Sequence, residues 1–205
     1  MTYSLGKIAT PLAIAICAAQ ASATELHHTE PDGTVIHAVT VPGGVYVTGS
    51  NKAIKRFDGQ AAFFPDTFGT YDPASNTRTV YGHNGGPIYA MATILKQANE
   101  RGEHIRLICN RFNLDTFITG CTSATTFFTG AENVCIGPDA VLNWHGASLG
   151  GLFGADYMTP FLTDLLPEPL RQPFAEKWSR KYGFGFVRTT AADLLAIWPK
   201  MKVCK

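Results

Sequence analysis

Between Thr77 and Cys109 the chain reads as strand, turn, helix and strand, and this alternation restricts its fold more than any other feature. Thr77-Arg-Thr-Val-Tyr81 is strand-like and runs into the turn Gly82-His-Asn-Gly-Gly-Pro87. From Ile88 to Glu100, apolar residues at Ile88, Met91, Ala92 and Leu95 form one helical stripe, and Gly102 stops the helix. His104 to Cys109 is the next strand. Units of this kind imply a mostly parallel sheet with helices on its faces, so the expected class is α/β.

The next unit carries the chemistry. Cys121-Thr-Ser-Ala-Thr125 opens a helix-like Ser-Ala-Thr-Thr-Phe-Phe-Thr-Gly, and the later strand-like Ala-Val-Leu-Asn-Trp144 ends at His145. A serine hydroxyl is a poor nucleophile at neutral pH, so a histidine must take its proton during attack and return it to the leaving group. Ser123 and His145 are the candidate pair. Gly85 and Gly86 let the backbone approach a ligand closely, and amide hydrogens there would face a developing oxyanion, a contribution of roughly 3 kcal/mol per donor. Taken singly, a Gly-Gly turn is often only a turn, and a serine at a helix start is often only a cap.

The order of these parts resembles the Clp-type serine peptidases of the crotonase-like superfamily, over roughly Val45 to Trp198. It looks closest to the exported bacterial branch whose nucleophile lies in a Cys-Ala-Ser-Ala-Cys context. The resemblance implies a spiral of repeated strand-helix units, Ser123 as nucleophile, His145 as general base, and the backbone amides of Gly85, Gly86 and Ala124 as the oxyanion hole. It also implies a peptide or protein substrate and homo-oligomeric assembly, since relatives form rings or stacked rings. The chain departs from the family at three places. His83-Asn84 replaces the usual Ser-Pro before the paired glycines, Thr125 replaces the second cysteine, and no acidic residue falls at the third catalytic position.

Composition narrows the partners. The chain has 205 residues, 45% of them hydrophobic, and a net charge of +1, as expected of one globular domain without a nucleic-acid face. Lys7, the apolar run Ile8 to Ala19 and Ala21-Ser-Ala23 have the three parts of a secretory signal peptide, with cleavage expected after Ala23. Residues 24–205 are then one periplasmic or secreted domain without stable membrane insertion. An uncleaved anchor is the alternative, but the run is shorter than the roughly 20 residues a spanning helix needs. A lipoprotein reading of Cys17 conflicts with Ile16, where a small residue is wanted.

Export would leave Cys109, Cys121, Cys135 and Cys204, an even set suited to disulfides. Four cysteines permit three connectivities, among which the short loop bracketed by Cys109 and Cys121 leans to their pairing, which would leave Cys135 and Cys204. Buried free thiols are the alternative. No zinc spacing is present, a metal site of His83, His145 and a carboxylate has no supporting motif, and no cofactor is expected.

Elsewhere, Thr24 to Gly33 reads as loose, so His27 and His28 are expected to be exposed, with weak adventitious metal binding their only alternative chemistry. Strands are expected at Val35 to Val41 and Val45 to Gly49 around the turn Pro42-Gly43-Gly44, then a helix from Ala53 to Phe64 and a turn at Asp72 to Asn76. His37 and His104 fall in strands. His83 and Asn84 are possible site-lining residues, although His83 is otherwise a packed position. The Gly-rich segment after His145 reads as a flap over the site or as a hinge. Pro167-Glu-Pro169 interrupts it, and Pro173 to Tyr182 looks helical. Asp156, Asp164, Glu168, Glu176 and Asp193 are candidate third acids, with Asp193 better suited to capping the helix after Thr190.

Three function classes follow. The leading one is an exported serine hydrolase of peptidase type. A second keeps the fold as a catalytically weak or inactive binding or scaffold protein. A crotonase-type lyase acting on acyl-coenzyme A conflicts with export, because that substrate is cytoplasmic.

Overall fold

The computed structural model describes residues 22–49, 60–114, 117–149, 153–183 and 185–205. The segment read as the signal peptide lies almost wholly outside them, as does the first part of the helix expected at 53–64.

The chain opens with an antiparallel meander of four strands, β1 (Glu25–Thr29), β2 (Val35–Val41), β3 (Gly44–Thr48) and β4 (Ala62–Pro65), paired in that order. Two of these correct the sequence reading. The stretch expected to be loose holds β1, in which exposed Glu25, His27 and Thr29 alternate with half-buried Leu26 and His28. His28 is therefore not an exposed tail residue: its ring packs 4.2 Å from Phe161 and 5.7 Å from Tyr89. Residues 62–64, expected in a helix, pair instead with β3, Phe63 opposite Tyr46 and Phe64 opposite Val45. A short apolar run carries no period of its own, so the neighbouring strand decides its form.

The second sheet has the order β16 (Lys202–Val203), β11 (Val134–Ile136), β7 (His104–Leu107), β6 (Thr77–Val80) and β5 (Thr70–Asp72). β5 (Thr70–Asp72) and β6 (Thr77–Val80) form a hairpin across the expected turn, and α1 (Ile88–Glu100) crosses to β7 (His104–Leu107), which pairs parallel with β6. A short hairpin of β8 (Phe112–Asn113) and β9 (Ile118–Thr119) leads into β10 (Cys121–Thr122) and a 3-10 helix, Ser123–Gly130. β11 (Val134–Ile136) continues the parallel sheet beside β7. The chain is thus mixed α/β with parallel strands, as expected, but with an antiparallel meander in front.

β12 (Val141–Trp144) lies between β10, parallel to it, and β15 (Val187–Thr190), antiparallel. Between β12 and β15 run a short hairpin, β13 (Ser148–Leu149) with β14 (Phe153–Gly154), then α2 (Thr159–Asp164) and α3 (Glu168–Glu176). α3 begins before Pro173, contrary to expectation. Pro167 and Pro169 occupy its N-cap and first turn, where a missing N–H costs nothing. α4 (Ala191–Ile197) is entered through a capping box between Thr190 and Asp193, and β16 (Lys202–Val203) completes the second sheet beside β11.

α1 is buried on nearly every side, packed against β1 to β3 and the 3-10 helix. Trp144, Phe127, Phe174 and Trp178 form the aromatic part of the core. A buried charge joins the sheets: Arg78 is 2% exposed and binds Asp66 with two hydrogen bonds of 3.0 Å and Glu103 at 3.1 Å. Both carboxylates are needed to offset the desolvation of the guanidinium. The cysteines pair as Cys109–Cys121 and Cys135–Cys204, each with Cα atoms 5.0 Å apart.

Candidate functional site

Ser123 stands where three segments meet. On one side β10 runs parallel to β12, with Cys121 opposite Leu142 and Thr122 opposite Asn143. On the other side His83 forms a parallel bridge with Cys121: its N–H donates to the Gly120 carbonyl at 3.3 Å and its carbonyl accepts from the Thr122 N–H at 2.8 Å. One residue past β10, Ser123 therefore lies between the Gly85 turn and the end of β12 that carries His145. Adjacent strands are about 4.8 Å apart, so the Gly85 turn and the His145 end of β12 flank Ser123 at one strand spacing each.

The corner at Ser123 is strained. Thr122 is extended, with φ −129° and ψ 147°, and the 3-10 helix starts at the next residue, whose φ is +58°. A side chain in this left-handed region costs roughly 1–2 kcal/mol, and such outliers persist where surrounding contacts impose them. Here the Ser123 carbonyl accepts a hydrogen bond of 2.7 Å from Thr126 Oγ1. Across the turn, Gly85 has φ +89°, and a Cβ at that position would stand 2.5 Å from Ser123 Cβ and 3.0 Å from its Oγ. Only glycine permits this approach.

His83 fixes the turn. Its Nδ1 accepts the Gly85 N–H at 3.0 Å and lies 3.0 Å from Thr125 Oγ1, while Nε2 lies 3.2 Å from Thr67 Oγ1. Since Nδ1 accepts an amide hydrogen, the ring proton belongs on Nε2, and Thr67 receives it. Burial holds the imidazole below its ordinary pKa, so it stays neutral. Two of the departures noted above, His83 and Thr125, are thus bonding partners. The Gly85 N–H is engaged with His83. Asn84 and Gly86 complete the turn, Asn84 half-buried and Gly86 exposed.

His145 follows β12 directly and is 9% exposed. Two neighbours hold the strand end. The Asn143 side chain donates to the Thr119 carbonyl at 2.9 Å, stitching β12 to the approach of β10, and Trp144 Nε1 donates to Thr189 Oγ1 at 2.8 Å. The His145 ring meets Phe186 edge to face at 5.0 Å. Among the described residues its buried Nδ1 has no hydrogen-bond partner, and no bond joins the ring to Ser123 or to a carboxylate. Burial alone pushes its pKa down to about 4.

The candidate acids are occupied elsewhere or sit on other elements. Asp156 accepts from the Tyr182 hydroxyl, Glu176 accepts from Gln172 and Asp193 caps α4. Asp164 and Glu168 lie on α2 and at the start of α3. The Gly-rich segment is a hairpin pinned at its base, where the Gly146 N–H donates to the Lys181 carbonyl and the Ala155 N–H to the Ala147 carbonyl. Tyr182 closes over Gly154, where a Cβ would stand 2.7 Å from its ring. Residues 150–152, the middle of the expected flap, lie outside the described residues.

Sequence reasoning missed the tie between His83 and Thr125 and the roles of Asn143, Tyr182 and Phe186. Thr125 was visible as a departure from the motif, but its partner lies 42 residues away. No protein-family model, curated protein or solved structure matched this chain in comparisons with known proteins.

Proposed function

We propose that the chain is an exported serine hydrolase of peptidase type built on a crotonase-like spiral, with Ser123 as nucleophile and His145 as general base. The carrying observation is the left-handed corner at Ser123, wedged between the Gly85 turn and the strand end bearing His145. A strand-to-helix turn that lifts a serine out of the sheet is the geometry a nucleophile needs. The paired cysteines support export.

In this reading Ser123 Oγ attacks the acyl carbon while its proton passes to His145, the two side chains closing to hydrogen-bond distance as substrate binds. The carbonyl oxygen takes up the electron pair opposite the amides of Gly86 and Ala124, joined by Gly85 once His83 releases its N–H. The C–N bond breaks as the proton returns to the amine. Water, deprotonated by His145, then splits the ester and restores Ser123. Without a carboxylate to stabilise it, the imidazolium forms in a buried apolar setting, so turnover is slow. No cofactor takes part, and the substrate is a peptide or protein.

The same histidine favours a second reading, a binding or scaffold protein on the same fold, because an imidazole with an unpaired buried nitrogen and a low pKa is a weak base. A fluorophosphonate probe decides between them. The hydrolase labels slowly at Ser123, Ser123→Ala and His145→Ala abolish labelling, and replacing any of the five candidate acids costs less than losing the histidine. A folded, secreted protein that never labels and cleaves neither ester nor peptide near neutral pH leaves the scaffold reading standing.

A further inference from the structure

β1 and β2 bring together three metal-binding side chains that the hydrolase site does not use. His27 and His37 are directly opposite each other in the antiparallel register, so both point from the same face of the sheet, and Glu25 lies on that face two residues before His27. The imidazole rings stack at 4.3 Å with 12° between their planes. Both Nε2 atoms are 3.4 Å from Glu25 Oε2, and all three donor atoms lie within 4.8 Å of one another.

These distances suit a small cation. With metal–ligand bonds of about 2.0–2.1 Å, two ligand atoms on a tetrahedral zinc ion stand about 3.3 Å apart. The two contacts to Glu25 already match edges of that tetrahedron, and the stacked imidazoles have to rotate so that their in-plane Nε2 lone pairs converge on the ion. A second observation singles out His37: its Nε2 is closed off from solvent, and no hydrogen-bond partner is found for it among the described residues. At 3.4 Å this nitrogen is only loosely ion-paired with the carboxylate, whereas a metal ion between them would bind both groups directly.

We propose that Glu25, His27 and His37 bind a divalent transition-metal ion, zinc in the first instance, through two imidazoles and one carboxylate, with the outward side open to water. Two nitrogens and one oxygen select zinc or copper over calcium and magnesium, which prefer all-oxygen sites. The ion would clip β1 to β2.

The test is calorimetric titration of the chelator-stripped secreted protein with Zn²⁺ near neutral pH. A single saturable equivalent is expected, undisturbed by excess Ca²⁺ or Mg²⁺. His27→Asn, His37→Asn and Glu25→Gln should each weaken it by roughly tenfold or more, since each removes a ligand. His104→Asn, an exposed histidine on β7, should leave it unchanged. In the wild-type protein, zinc should shift the imidazole resonances of His27 and His37, a readout that needs no variant to fold. Absence of saturable binding, undiminished binding in the His27→Asn, His37→Asn double variant, or shifts confined to other histidines would each overturn the proposal.

Discussion

At the scale of single residues, His145 sits buried without a partner for its ring nitrogen, an environment that disfavours its charged form. Its pKa of about 4 in the fold, against an ordinary 6.5, means the folded chain holds it neutral while the unfolded chain takes up a proton between those values. Stability is therefore full above about pH 6.5 and falls as the pH drops toward 4, by up to about 3 kcal/mol from this residue. Burial lowers the pKa of His28 and His83 too, so they add to the same slope. Urea unfolding at pH 7 and pH 5 should show a smaller difference for His145→Leu than for the wild type. Removing a buried nitrogen without a partner should also leave that variant about 1 kcal/mol more stable at pH 7. An unchanged pH slope would assign the effect elsewhere. Greater stability together with lost labelling is the behaviour of a residue kept for chemistry.

At the scale of elements, the Gly85 turn and the Ser123 corner form one unit. Gly85→Ala places a methyl group against Ser123 and asks alanine to hold φ +89°. A loss of about 2 kcal/mol or more in unfolding free energy is expected, with Ser123 labelling abolished even in the molecules that remain folded. Chemical denaturation and probe labelling of the same sample check both. His83→Ala should preserve the corner better, since it removes a pin and adds no clash. This unit also marks how far the sequence could be read. α1 was legible end to end because its stripe has a helical period, and the helical run from Ser123 and β12 were legible as a small-residue run followed by a run of strand formers, whereas the two-residue β10 was not. β1 was not, because Glu25, His27 and Thr29 look like a polar tail until β2 supplies the partner that makes Leu26 and His28 an inner face. α3 was hidden by two prolines that break a helix interior and suit a helix start. The bonds from His83 to Thr67 and Thr125 depend on tertiary placement, which no local pattern encodes.

For the whole molecule, the two disulfides differ in what they enclose. Cys109–Cys121 spans 12 residues and fixes the approach to the Ser123 corner, whereas Cys135–Cys204 spans 69 and ties β11 to β16. Loop-closure entropy gives about 3 kcal/mol for the first and about 4 kcal/mol for the second. Cys204→Ser should therefore lower the unfolding free energy more than Cys109→Ser with Cys121→Ser, while the latter pair of changes should slow labelling more. Denaturation curves and labelling rates measured side by side test that separation of stability from site geometry. Non-reducing peptide mapping should return the same two pairs.

The larger ring also has a consequence for proteolytic damage. Every peptide bond from β12 through the Gly-rich hairpin, α2, α3 and α4 lies inside the covalent circle closed by Cys135 and Cys204. A protease that nicks the hairpin once cannot release either fragment: the pieces stay joined as one species on a non-reducing gel and separate only after reduction. A first cut in the hairpin would thus leave α2, α3, β15 and α4 tied to the fragment that carries both Ser123 and His145.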